Sequence, residues 1–134
     1  MGSNCMCQEA GLLVFPCSGG SDVGELADKV GRAIAKCGKA KMFCLAGIGA
    51  HIPGMIESAK AAGRIVTIDG CPVLCAKKTL EHAGFKVESY NLKDLRVEKG
   101  ETDVTEENIK KAAFLITGGK GEKADPGLSG RCAC

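Results

Sequence analysis

The chain of 134 residues carries little net charge and few aromatic side chains. Its formal charge is +2, 4% of its residues are aromatic, and its lysines are scattered along the sequence without aromatic neighbours. Nucleic-acid-binding surfaces combine a concentrated basic patch with aromatic side chains that stack on bases. We therefore expect no nucleic-acid partner.

Long apolar runs are also missing. No window approaches the roughly 18 apolar residues that a membrane-spanning helix needs. The N-terminus lacks the basic start and apolar run of a signal peptide, so we expect no membrane span and a cytoplasmic location. With 45% hydrophobic and 25% charged residues, the composition is typical of a globular domain that buries its own core.

Short apolar runs alternate with helical patterns along most of the chain. Such strand–helix units predict a single α/β domain, Rossmann-like or flavodoxin-like, with a mostly parallel sheet of about four strands and helices on both faces. A capping arrangement at Thr105 predicts a last helix to Thr117, with a fifth strand over 113–117 as the alternative. The predicted strands cover 11–15, 41–45, 64–68 and 85–92, the helices 23–36, 53–62 and 72–83, and loops 46–51 and 93–104.

The domain is expected to cover residues 11–117. Residues 1–10 form a cysteine-containing N-terminal extension, and residues 118–134 form a cysteine-containing tail that we expect to be flexible. The sequence leaves a homo-oligomer open and names no protein partner.

Nine cysteines are the most informative feature of the composition. In a reducing compartment a cysteine cluster favours metal binding or catalysis over disulfides. Cys17, Cys44 and Cys71 follow or end three predicted parallel strands, whose carboxyl ends meet at one edge of the sheet. Cys75 lies one predicted helical turn beyond Cys71. Four thiolates suit zinc and, as a less favoured choice, an iron–sulfur cluster or another soft metal. The alternative is a purely structural role, in which the cysteines pack as small buried side chains.

These cysteines lie in three recognisable motifs. The stretch Asp69-Gly-Cys-Pro-Val-Leu-Cys-Ala76, preceded by Cys17-Ser-Gly-Gly20 and Phe43-Cys-Leu-Ala-Gly-Ile-Gly49, resembles the DGC domain family, which is named after its Asp-Gly-Cys tripeptide. The resemblance extends from about Leu12 to about Ile116 and implies zinc binding, but says little about activity. The family's chelating cysteines fall on Cys17, Cys44, Cys71 and Cys75.

A thiol-based redox or cysteine-nucleophile enzyme that uses the same cysteines is the main alternative, so enzymatic activity stays open. Thiols that attack oxyanions usually lie in a loop that ends in arginine about six residues on, but position 23 is valine. Redox pairs favour two intervening residues, whereas Cys71 and Cys75 have three, although Cys17 or Cys44 can act as a resolving partner.

Three further residues are candidates to contact a ligand or to hold a ligating group in place: Ser18, His51 and Asp69. Ordinary loop and turn roles account for His51 and Asp69 equally well or better. His82, late in the third predicted helix, is expected to make a favourable contact with the helix dipole or simply to be exposed. Two Cys-x-Cys pairs form a hypothetical second metal site: Cys5, Cys7, Cys132 and Cys134.

Overall fold

Four parallel strands form the sheet of the computed structural model, which describes residues 11–95 and 104–117. The strands are β1 (Leu12–Pro16), β2 (Lys41–Met42), β3 (Arg64–Asp69) and β4 (Glu88–Asn91). The strand order is β2-β1-β3-β4, and β1 pairs with β3 along its whole length. The helices are α1 (Asp22–Lys36), α2 (Leu45–Gly49), α3 (Pro53–Lys60), α4 (Cys75–His82) and α5 (Glu106–Thr117), with a 3-10 turn at Leu92–Leu95.

The two faces of the sheet are covered by different helices. Because successive strand residues point to opposite faces, Val14 and Val66 pack against α1 and α5, whereas Leu13, Phe15 and Ile65 pack against α2, α3 and α4. The prediction of a single α/β domain with helices on both faces is therefore confirmed. The strand order is that of the first four flavodoxin-like strands, and it reverses between β1 and β3.

The second strand is shorter than predicted. It ends at Met42, and the predicted loop over 46–51 is largely the short helix α2. Packing on the α2 face of the sheet favours a helix here. Ile48 is fully buried, and the phenyl ring of Phe43 packs edge-on against Phe15, with 5.7 Å between ring centres. Cys44 consequently occupies the N-cap position of a helix instead of ending a strand.

The predicted helix start at Pro72 is also wrong. Residues 71–74 form a turn in which the Leu74 amide donates to the Cys71 carbonyl at 3.2 Å, and α4 begins at Cys75. Cys71 and Cys75 therefore do not lie on successive turns of one helix. The fourth strand covers 88–91 instead of 85–92.

Other local predictions are confirmed. The first predicted helix is α1, and the Ser21 hydroxyl caps it by accepting a hydrogen bond from the Gly24 amide at 3.2 Å. Residues 113–117 belong to α5, whose start is capped by the hydroxyl of Thr105. None of the helices in the described parts of the chain is long and apolar enough to span a bilayer. The two terminal Cys-x-Cys pairs lie outside the described residues.

Candidate thiol site at the carboxyl edge of the sheet

Two half-buried thiols lie on either side of the point where the strand order reverses. Cys17 directly follows β1, and its amide donates to the carbonyl of Ile68 in β3 at 2.9 Å. Cys71 lies two residues beyond the end of β3. Both side chains pack against the core on the α1 face. Ligands of open α/β sheets bind at this position, so the fold brings both thiols to the expected edge.

Asp69 and Gly70 hold the loop that carries Cys71. The Asp69 carboxylate is 1% exposed and accepts hydrogen bonds from the amides of Ala76 (2.8 Å) and Lys77 (3.1 Å) in the first turn of α4. Burial raises the pKa of Asp69, and these hydrogen bonds offset only part of that effect. A Cβ atom on Gly70 would lie 2.5 Å from the backbone oxygen of Val23, so only glycine fits. The Asp-Gly pair therefore anchors the β3–α4 loop to α4 and α1.

Cys44 and Cys17 line one cleft. Cys44 is exposed at the start of α2, and the cleft of about 770 Å³ opens between it, Cys17 and Thr79 of α4. The Thr79 hydroxyl donates to the carbonyl of Cys75 at 2.7 Å, one turn earlier in α4. Cys75 is exposed and is not among the residues that line the cleft.

An arginine that sequence reasoning missed lies in the same cleft. The Ser18 hydroxyl donates to one carboxylate oxygen of Asp28 at 2.8 Å, and Arg32 Nε donates to the other at 2.6 Å. All three side chains line the cleft beside Cys17. Burial raises the pKa of Asp28, but the hydrogen bonds from Arg32 and Ser18 hold it below its ordinary value overall. The spacing of Asp28 and Arg32 predicts an ion pair on α1, but nothing local indicates that this pair faces a cysteine.

Comparison with known proteins identifies the family of this arrangement. Residues 13–114 match the model of the DGC domain. The chain belongs to the DGC domain family. The anaerobic and virulence modulator AnvM of Pseudomonas aeruginosa is 37% identical over 68 residues, which are 51% of this chain and 52% of AnvM. The chain thus spans about half the length of this curated relative. No solved structure matches the present chain.

The four candidate thiols of this DGC domain are suitable zinc ligands, but they do not lie together as a metal site. Four thiols come from the β1–α1 loop, the cap of α2, the β3–α4 loop and the first turn of α4. Among residues 11–95 and 104–117, no three Cys, His, Asp or Glu side chains lie close enough together to hold a metal ion. The fold therefore brings Cys17 together with Cys44 in one cleft, and places Cys71 and Cys75 on the loop and helix that follow the adjacent strand.

Backbone strain in the DGC domain is concentrated beside the candidate residues. In the described part of the chain, the non-glycine residues with positive φ are Ser18 (49°), His51 (54°) and Leu74 (59°). Ser18 and Leu74 directly adjoin Cys17 and Cys75. Non-glycine residues in this left-handed region of backbone conformation raise the free energy of the folded state, and they cluster at functional sites.

His51 lies at the opposite end of α2 from Cys44. Its imidazole contacts that of His82, with 5.6 Å between ring centres. His82 is exposed, which is one of the two roles expected for it, and its ring partner is the candidate residue His51.

Proposed function

We propose that this DGC domain binds zinc, or another soft metal ion, through Cys17, Cys44, Cys71 and Cys75. The observation that carries the proposal is the shared cleft of Cys17 and Cys44 at the carboxyl edge, with Cys71 two residues beyond the end of the adjacent strand β3. Sulfur ligands select soft and borderline metals, and four of them complete a tetrahedral zinc site. The proposal takes the domain to work in the cytoplasm, where thiols stay reduced.

An exchangeable ion suits these thiols better than a permanent structural ion. Cys44 and Cys75 are exposed, and the four thiols do not lie close enough together to hold a metal ion. Binding therefore requires Cys44 and Cys75 to approach the half-buried Cys17 and Cys71. Each thiol loses a proton when it ligates, so binding also depends on pH. Sensing or transfer of the ion fits this behaviour better than storage or a scaffold role. AnvM is named a modulator, and a modulating role agrees with a site whose occupancy changes.

Metal analysis of anaerobically purified full-length protein tests the proposal. We expect one ion per chain and four thiols that become reactive only after chelation. A matched variant in which the terminal Cys-x-Cys cysteines are replaced by serine separates the two candidate sites. This variant keeps the ion if Cys17, Cys44, Cys71 and Cys75 hold it, and a lower stoichiometry would support the hypothetical second site. Full reactivity of these four thiols without metal would contradict the proposal.

Arg32 favours one alternative function, in which Cys17 is a nucleophile or redox thiol that acts on an anionic substrate. The cleft supplies the guanidinium that the loop lacks at position 23, from α1 instead of from the loop itself. Under this alternative, phosphate or arsenate slows alkylation of Cys17, and Arg32→Ala removes the protection. Equal alkylation rates with and without oxyanion would reject it.

A further inference from the structure

The two histidines of the chain are neighbours in space. The sequence contains two histidines, one following α2 and one in the last turn of α4. Their rings meet edge to face, with 5.6 Å between centres and 66° between planes. Both side chains are exposed. The packing of α2 beside α4 brings them together, since a Cβ on Gly49 would lie 3.5 Å from the methyl group of Thr79.

The backbone of His51 adopts a conformation that few non-glycine residues take. Its φ of 54° lies in the left-handed region, where histidine, asparagine and aspartate occur more often than other side chains. In this conformation the imidazole of His51 lies against that of His82.

The separation of the rings suits a shared ion. A zinc ion about 2.0–2.1 Å from an imidazole nitrogen lies about 3.2 Å from the centre of that ring, so two rings that share it have centres about 4.5–6.4 Å apart for angles of about 90–180° at the metal. The observed 5.6 Å falls within this range. Rotation of one exposed ring about its Cβ–Cγ bond leaves its centre nearly in place and turns a nitrogen toward the ion.

We propose that His51 and His82 form a two-histidine site for a borderline divalent metal ion such as zinc, distinct from the four cysteines and independent of their proposed function. Imidazole nitrogen is a preferred ligand of zinc, nickel and copper. No third protein ligand from the described ranges joins the pair, so water or an external ligand completes the coordination. The site is consequently weak and exchanges its ion readily.

Zinc titration of the full-length protein, followed by NMR of the ring nitrogens, tests this site. Two histidines give two sets of imidazole signals, and a directly ligated nitrogen shifts strongly. After the thiols have been saturated, we expect both imidazoles to shift with one common midpoint. Removal of either partner, in His82→Ala or in His51→Asn, which tolerates positive φ, should weaken zinc binding by the remaining histidine about tenfold, because the two-point attachment is lost.

A matched control is Lys78→Gln, which changes an exposed residue one turn earlier in α4 and should leave the midpoint unchanged. Two independent midpoints that do not respond to loss of the partner would overturn the proposal. Zinc uptake by the thiols without any shift of the ring nitrogens would overturn it as well, and would leave the cysteine site standing.

Discussion

Removal of the Asp69 carboxylate is predicted to destabilise the start of α4. Both carboxylate oxygens accept backbone amides, from Ala76 and Lys77. Ala76 is fully buried, so its amide cannot return to water, and a buried donor without a partner costs about 1–3 kcal/mol. Loss of the second bond resembles loss of a helix cap, which costs about 0.5–2 kcal/mol.

Burial of the charged carboxylate lowers stability, and its removal therefore offsets part of this loss. Asp69 is 1% exposed, and its replacement by alanine removes the cost of keeping a charge away from water. We therefore expect Asp69→Ala to lower the free energy of unfolding by about 2–3 kcal/mol. This is a large part of the roughly 5–15 kcal/mol that stabilises an ordinary domain.

The pH dependence of the Asp69 contribution follows from its raised pKa. The folded protein binds this proton more tightly than the unfolded chain does. The contribution of Asp69 to stability therefore falls as pH rises from the ordinary carboxyl pKa through the raised folded value, and is constant above it. Because Asp69→Asn does not titrate at this position, the stability of wild type relative to this variant should be highest in acid and decrease across that window.

Urea unfolding followed by far-UV circular dichroism, with reductant present, measures these differences. Asp94→Ala serves as the control, since Asp94 is an exposed aspartate in the 3-10 turn. A loss below about 0.5 kcal/mol for Asp69→Ala, the range of an ordinary surface change, would refute the role of Asp69 as the anchor of α4.

Three further predictions use the same domain. Gly70→Ala should lower stability by about 1–3 kcal/mol, because a Cβ there meets the α1 backbone at 2.5 Å; Gly54→Ala, which meets open space, is the control, and equal urea midpoints would contradict the argument. Leu74→Gly should leave stability unchanged or raise it by about 1 kcal/mol, because φ is 59° at this position; a clear loss in the thermal midpoint would show that the leucine side chain matters more than the strain. Burial raises the pKa of Asp28, but the hydrogen bonds from Arg32 and a neighbouring serine hold it below the ordinary value. The contribution of Asp28 to folding stability is therefore present above the ordinary carboxyl pKa and is lost as pH falls through the lowered pKa of the folded protein. Carboxyl NMR of wild type and of Arg32→Ala should show a higher Asp28 pKa in the variant.

The parts of the fold with strong local signals could be predicted from the sequence. The apolar run of β3 ends in an Asp-Gly turn, and α1 combines helical periodicity with a serine cap at Ser21. The capping arrangement at Thr105 favoured a helix over a strand for 113–117, and α5 covers those residues. Because parallel strands end at one edge, the general position of Cys17 and Cys71 followed from the strand pattern alone.

Other features depend on contacts between distant residues and left no local signal. The helix α2 has five residues, too few to show periodicity, and its start directly after Cys44 reflects packing of Phe43 and Ile48. Proline at position 72 indicated a helix start, but capping by Asp69, a residue outside the helix, determines where α4 begins.

Arg32 and the pairing of His82 with His51 were not predicted from the sequence for the same reason. Arg32 reaches the cysteine cleft only because α1 packs beside the β1–α1 loop. His82 meets His51 only because α2 and α4 lie side by side. A single sequence shows the helical position of each residue but not the neighbouring element that its side chain will face.

X-ray absorption at the zinc edge tests the metal proposal most directly. It is measured on the anaerobic full-length protein with one equivalent of zinc, and on the four variants in which one proposed cysteine ligand is replaced by serine. We predict four sulfur ligands at about 2.3 Å, with one sulfur replaced by a lighter atom in each variant. A shell of nitrogen and oxygen ligands, or a four-sulfur shell that persists in all four variants, would contradict zinc binding by Cys17, Cys44, Cys71 and Cys75.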